Sequence, residues 1–240
     1  MNNNYPQRTL KFVMDAVFPI RCVGCGEYDV YFCDSCLATV KVKKDFECIG
    51  CKRPAVEGNT CINCRNDFSV SRLFVAADYN NKLIEKALKL VKYGFIKDLS
   101  EHLTAIAKIY TDNLLSQDNF NVFADSPLLI PVPLHKKRLN WRGFNQSEIF
   151  AEKIAAKHDL ELGLNILVRT KSRTPQADIK NRESRIINVV GSFKCLDELQ
   201  GRNVILIDDI CTTGATLNEC AKALAEKGAG NISALVIARG

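Results

Sequence analysis

The segment Val204-Ile205-Leu206-Ile207-Asp208-Asp209-Ile210-Cys211-Thr212-Thr213-Gly214-Ala215-Thr216 restricts the possible fold more than any other part of the chain. Four consecutive aliphatic residues have the composition of a strand buried on both faces, which belongs in a parallel sheet covered by helices. The run stops at two adjacent carboxylates, and a small, hydroxyl-rich turn follows. Ligands of open α/β sheets bind beyond the carboxyl ends of the strands, where Asp208 and Asp209 can accept hydrogen bonds from vicinal sugar hydroxyls. Thr212, Thr213, Gly214, Ala215 and Thr216 are small enough for backbone N–H groups to close on an anion. The stretch from Ala215 to Lys227 reads as a helix whose positive end faces that anion, and Gly228 ends it. This is the physics of a sugar-phosphate site; the plainer alternative for an acidic pair after a strand is a solvated loop or a helix cap.

The order of strand, Asp-Asp, Thr-Thr-Gly and helix resembles the phosphoribosyl pyrophosphate (PRPP) motif of type I phosphoribosyltransferases. The resemblance implies that Asp208 and Asp209 grip the ribose and that Thr212, Thr213, Gly214, Ala215 and Thr216 hold the 5-phosphate.

From Arg72 onward strands and helices alternate: Leu73 to Tyr79 as a strand, Leu83 to Val91 and Leu99 to Leu115 as helices, Leu128 to Leu134 as a strand. An α/β domain with a mainly parallel sheet flanked by helices is expected. The strand Leu128 to Leu134 leads through a basic loop, His135 to Gln146, into a helix ending near Lys157. The resemblance implies that the loop at this place contacts pyrophosphate, and Arg138 and Arg142 are the natural candidates because guanidinium forks match phosphate oxygens; a solvated basic loop is the alternative. Lys92, at a helix end before Tyr93-Gly94, is a further candidate for a phosphate contact. A polar, basic segment then runs from Leu167 to Phe193 between two strands. It holds Lys171, Arg173 and Arg182, the candidates for stabilising a departing pyrophosphate, with Arg173 set beside the acidic pair as catalytic. By position the segment corresponds to the mobile hood of type I enzymes, which shields the reaction from water.

Cysteine supplies a second signal, independent of the first. Eight of the eleven cysteines form four Cys-x-x-Cys pairs: Cys22/Cys25, Cys33/Cys36, Cys48/Cys51 and Cys61/Cys64. Thiolates at this spacing on tight turns bind one metal ion together, so four pairs suit two four-thiolate structural zinc ions. An iron–sulfur cluster and disulfides are the alternatives. Sequential pairing, with seven and nine residues between knuckles, is favoured over a cross-braced arrangement. Little apolar content lies between Cys22 and Cys64, so this module is expected to need metal to fold. Cys195, Cys211 and Cys220 have no partner at ligand spacing and read as packing residues.

Composition narrows the class. With 240 residues, 47% of them hydrophobic and 25% charged, one ordinary core and an annex are expected. A net charge of +6, spread along the chain, suits an anionic ligand without requiring nucleic acid. Leu10, Val13, Met14 and Val17 fall at helical spacing, but Lys11 and Asp15 interrupt them, which fits neither a signal peptide nor a membrane span. A cytoplasmic protein is expected, with a helix in 1–20, a double zinc ribbon in 21–69 and a phosphoribosyltransferase-like domain in 70–240.

Taken together, the cysteine pairs, Pro131-Val132-Pro133-Leu134, Arg142-Gly143-Phe144-Asn145-Gln146, Arg173-Thr174-Pro175-Gln176 and the Asp208-Asp209 segment resemble the ComF family from about Phe18 to the C-terminus. The resemblance implies a type I phosphoribosyltransferase fold, PRPP with Mg²⁺ as ligand, and a role in the uptake of transforming DNA. It also implies incoming single-stranded DNA and proteins of the competence machinery as partners. Two functions follow. In one the protein binds PRPP while handling DNA; in the other it is an active transferase that passes phosphoribose to an acceptor and releases pyrophosphate. Lys41, Lys43, Lys44, Lys52 and Arg53 in the ribbons could meet a phosphate backbone, and Phe46, Tyr28, Tyr31 and Phe32 could stack on bases, a structural ribbon core being the alternative.

Overall fold

The computed structural model describes residues 19–117, 120–171 and 189–240. The expected N-terminal helix within 1–20, like Arg173 and Arg182, lies outside them. Two compact units make up the chain, Met1–Lys41 and Val42–Gly240, so the division falls inside the cysteine-rich stretch, between its second and third pairs.

The described part of the first unit is a small knuckle. An antiparallel bridge joins Arg21 to Tyr28, the Arg21 guanidinium lies 4.1 Å from the centre of the Tyr28 ring, and a short helix α1 (Asp34–Ala38) follows. Val23 and Phe32 are buried inside it.

In the second unit the apolar patterning builds one parallel sheet. Its strands are β1 (Arg72–Asp78), β2 (Leu128–Pro131), β5 (Val204–Cys211) and β6 (Ile232–Arg239), in the order β1-β6-β5-β2, and every pairing is parallel. Two further strands, β3 (Leu167–Arg169) and β4 (Phe193–Cys195), pair antiparallel and carry the two ends of the basic segment expected to act as a hood. Helices cover the sheet by their apolar stripes. Helix α2 (Lys82–Tyr93) buries Ile84, Ala87, Leu88 and Val91, at i, i+3, i+4 and i+7, and Asn81 caps it by accepting from the amides of Leu83 and Ile84. Helix α3 (Leu99–Leu115) buries Leu99, Leu103, Ile106, Tyr110 and Leu114.

Several boundaries differ from the sequence reading, and the strand expected over Leu128 to Leu134 ends at Pro131 as β2. The strand expected to stop at Ile207 runs on through both carboxylates to Cys211, because β6 remains beside it as a hydrogen-bonding partner, Asp208 opposite Val236 and Ile210 opposite Ala238. The expected basic loop is itself helical, α4 (Lys136–Arg142), closed by Gly143 in the left-handed region and separated from α5 (Gln146–His158) by a turn. The last helix, α6 (Ala215–Ala225), ends short of Lys227, with Gly228 at φ +74° beyond it.

Candidate functional site

β5 carries its two carboxylates to the amino end of α5, and the side chains there fix them. The Ser147 hydroxyl donates to Asp208 Oδ1 at 3.0 Å, and the Asp209 amide donates to the same oxygen at 2.8 Å. Asp209, 3% exposed, accepts from Gln146 Nε2 at 2.9 Å and pairs with Lys92 Nζ at 2.9 Å. The Gln146 side-chain oxygen in turn accepts from Arg142, so one amide links a buried guanidinium to a buried carboxylate. Asn145 sets this corner: its side chain caps α5 by accepting from the Ser147 amide and donates to the Val132 carbonyl at the end of β2.

The electrostatics follow from burial. Desolvation, reinforced by the Asp209 charge, pushes the Asp208 carboxyl up to about 7, against the pull of Lys92 and of the hydrogen bonds from the Asp209 amide and Ser147. Desolvation also draws the Arg142 guanidinium below its usual range, opposed by the Asp209 charge. Arg142 is 6% exposed, and its Nε has no hydrogen-bond partner among the described residues.

A cavity of about 440 Å³ opens over this network, and Thr212 to Thr216 line it with Asp208 and Asp209. Gly214 caps α6 at φ +78°, a conformation that glycine takes without strain, and the Thr213 hydroxyl accepts from the Ala215 amide at 3.3 Å. The loop also rests on the cysteine-rich turn before the sheet. A Cβ on Gly214 would lie 2.9 Å from Ile49 Cγ1 and 2.9 Å from Phe68 Cε1. Ile49 and Phe68 belong to the same apolar cluster as β5, β6 and α6. Two polar clamps hold this contact. Asn218 of α6 donates to the Asp67 carbonyl and accepts from the Ser69 amide, both at 2.7 Å. Arg239 of β6, 6% exposed, donates to the carbonyls of Cys48 and Ile49.

The cysteines gather in sequence order. Cys22, Cys25, Cys33 and Cys36 form one group in the first unit, and Cys48, Cys51, Cys61 and Cys64 form another in the second, the four sulfurs of each lying within 4.8 Å of one another. Sulfur separations of 3.6 Å for Cys22–Cys33 and Cys25–Cys33 and 3.7 Å for Cys51–Cys61 are far too long for a disulfide, whose bond is about 2.05 Å. They match the edge of about 3.8 Å that tetrahedral zinc with bonds of about 2.3 Å requires. Backbone N–H groups also point at the thiolates, Gly24 and Cys33 at Cys22 and Cys61 at Cys48. Each group could hold zinc.

Residues 145–240 match the family model of the phosphoribosyl transferase domain. Competence protein ComFC of Bacillus subtilis (strain 168) is 27% identical over 224 residues, which cover 88% of this chain and 85% of that protein. The similarity to that competence protein thus runs along most of the chain. Competence protein F of Haemophilus influenzae is 26% identical, covering 86% of this chain and 96% of its own, and DNA utilization protein YhgH of Escherichia coli O157:H7 is 26% identical, covering 86% and 89%. With the parallel sheet and the two four-cysteine groups, the chain has a phosphoribosyltransferase fold with a cysteine-rich N-terminal region.

Asp208, Asp209, Thr212, Thr213, Gly214, Ala215, Thr216, Arg138, Arg142 and Lys92 all line this cavity. Lys92 is engaged by Asp209 there. Lys171 is exposed at the end of the β3 segment, near Gly191, and does not line it. The side chains that sequence reasoning left without a role are Gln146, Ser147, Asn145 and Arg169. The first three are 1–3% exposed polar residues at a helix start, and the available signal was their place directly after the basic segment. Arg169 lines the cavity with its guanidinium 5.2 Å from the centre of the Phe193 ring. Cys211 is buried, and desolvation pushes its thiol up to about 11, in keeping with a packing role. Of the candidate ribbon contacts, Lys43 pairs with Glu47 and Lys52 donates to the Gly240 carbonyl, while Phe46 packs edge-on against Phe74 and Phe120 in the interior. Among the described residues no helix is long and apolar enough to cross a membrane.

Proposed function

We propose that this ComF-like protein binds PRPP with Mg²⁺ in the cavity over β5 and acts in DNA uptake, handling internalised single strands in the cytoplasm. The observation that carries the reading is the convergence in one cavity of a carboxylate pair, a small loop at a helix N-terminus and the guanidinium of Arg142, buried with an N–H left over. Asp208 and Asp209 accept hydrogen bonds from the two ribose hydroxyls. The amides and hydroxyls of Thr212 to Thr216 close on the 5-phosphate. Arg138 and Arg142 take the pyrophosphate, and Lys171, Arg173 and Arg182 add charge from the segment that follows β3. The carboxylates and phosphate oxygens are hard donors of the kind Mg²⁺ prefers, and the ion would neutralise the pyrophosphate charge. Zinc in the two four-cysteine groups is structural in this reading. The DNA role rests on relatives named competence protein ComFC, competence protein F and DNA utilization protein.

The second reading is transferase activity, with Asp208, Asp209 and Arg173 serving catalysis. It is favoured by the cavity's pairing of ribose and pyrophosphate seats, since a leaving group held by fixed cations is what the reaction needs. Incubation with PRPP, Mg²⁺ and a panel of bases and amines tests it: pyrophosphate released with one acceptor supports transfer, and binding without release with any of them supports the binding role.

A further inference from the structure

Three aromatic side chains at the mouth of the cavity stand open to solvent. Tyr93 is 67% exposed, Phe95 41% and Trp141 60%, and they are the exposed aromatic residues of the second unit among the described residues. Tyr93 ends α2 and Trp141 lies in the last turn of α4, and both line the cavity that holds Asp208 and Asp209. Phe95 does not line it but stands edge-on to Trp141, ring centres 4.6 Å apart at 80°. That contact is made from an uncommon backbone: Phe95 sits at φ +57°, a left-handed conformation that is strained for a bulky residue. Apolar burial does not account for the cluster, because the rings remain in water. Cations surround it in sequence and along the helix: Lys97 two residues beyond Phe95, and exposed Lys136, Lys137 and Arg138 on α4, with Lys137 and Trp141 on one helix face at i, i+4.

We propose that Tyr93, Phe95 and Trp141 form a stacking platform for an unpaired nucleobase of a nucleic-acid strand, whose phosphates meet the α4 cations at the entrance to the PRPP cavity. Every base offers a π-face to such a platform, and cations tracking the backbone supply the rest of the affinity. An open platform cannot enclose a free base, and stacking alone is too weak to retain one, so a strand is the occupant. The proposal deepens the single-strand handling proposed above and rests on the PRPP reading only for the identity of the ligand in the cavity beside it.

Trp141 is the chain's one tryptophan, so its emission reports on the platform alone. The full-length, zinc-loaded protein is titrated with a twelve-residue oligothymidylate and with an abasic strand of the same length and charge. PRPP binding by the wild type is measured separately by calorimetry. The expected result is quenching of Trp141 by the thymidylate, with roughly tenfold weaker binding of the abasic strand. Trp141→Ala and Phe95→Ala, both at exposed sites, should bring the thymidylate affinity down to the abasic value in fluorescence anisotropy with a labelled strand, at an unchanged melting temperature. Equal affinity for the two strands with unchanged emission, or binding that both variants retain, overturns the platform whatever PRPP does. Absence of PRPP binding beside a base-dependent quench overturns the cavity reading and leaves the platform standing.

Discussion

Asp208 lies where a buried strand meets a second carboxylate, and its carboxyl is pushed up to about 7 from an ordinary 3.8. Two consequences follow, with opposite signs for ligand and for fold. A ribose hydroxyl donates to a carboxylate, so PRPP affinity should rise with pH and fall by up to about tenfold per unit below pH 7. Titration of the ligand's own phosphates contributes to the same profile. Calorimetry on wild type and Asp208→Asn across pH 5.5–8.5 separates the two, and the variant should lose the steep part along with most of its affinity. For the unliganded protein the raised value means that the folded state holds the proton more tightly than the unfolded state. The stability from Asp208 is therefore complete below pH 3.8 and lost as pH rises through about 7. Asp208→Asn should accordingly melt at a higher temperature than the wild type at pH 8. Gln146 is the second residue to test. Gln146→Leu removes the acceptor of Arg142 and a donor to Asp209 in a buried setting, and chemical denaturation should show a loss of roughly 2–4 kcal/mol. The place of Asp208 and Asp209 at the end of a buried strand could be read from the sequence because an acidic pair after a four-residue aliphatic run is a local pattern. The part played by Gln146 could not be, because it depends on α5 starting beside β5, a contact across 63 positions of chain.

At the scale of elements, the second four-cysteine group and the loop after β5 form one mechanical piece. Ile49 and Phe68 pack on Gly214, Asn218 ties α6 to Asp67 and Ser69, and Arg239 ties β6 to the carbonyls of Cys48 and Ile49. A structural metal on Cys48, Cys51, Cys61 and Cys64 would thus brace the Thr212 to Thr216 loop from beneath. Cys61→Ser with Cys64→Ser should bring metal content down by one ion per chain and weaken PRPP binding, which metal analysis and calorimetry on the same preparation would establish. Gly214→Ala meets the brace directly: it combines a positive φ with a Cβ 2.9 Å from two side chains, and should cost about 1–3 kcal/mol of stability along with PRPP affinity. The sequence disclosed each element of this arrangement but not their union. Knuckle spacing and strand composition are local patterns, whereas the packing of Phe68 on Gly214 joins residues 68 and 214 through the sheet order β1-β6-β5-β2. Where local patterning met a tertiary partner, the partner decided. β5 runs past its aliphatic stretch because β6 is there to pair with it, and His135 caps what reads as a basic loop into helix α4, the His135 ring nitrogen accepting from the Lys137 amide.

For the whole molecule, beside the parallel sheet, the cavity over the ends of β2 and β5 and the two cysteine groups, the most specific feature is still the acidic pair with its loop. The proposed function turns on PRPP binding in this cavity through Asp208 and Asp209. The direct measurement is isothermal calorimetry of the zinc-loaded protein with PRPP and Mg²⁺, for the wild type and for Asp208→Asn combined with Asp209→Asn. One-to-one binding by the wild type and a loss of at least about a hundredfold in the double variant are expected from this proposal, because two charge-assisted hydrogen-bond acceptors at about 1.5–3 kcal/mol each are neutralised. No binding by the wild type, or the same affinity in the double variant, would contradict it.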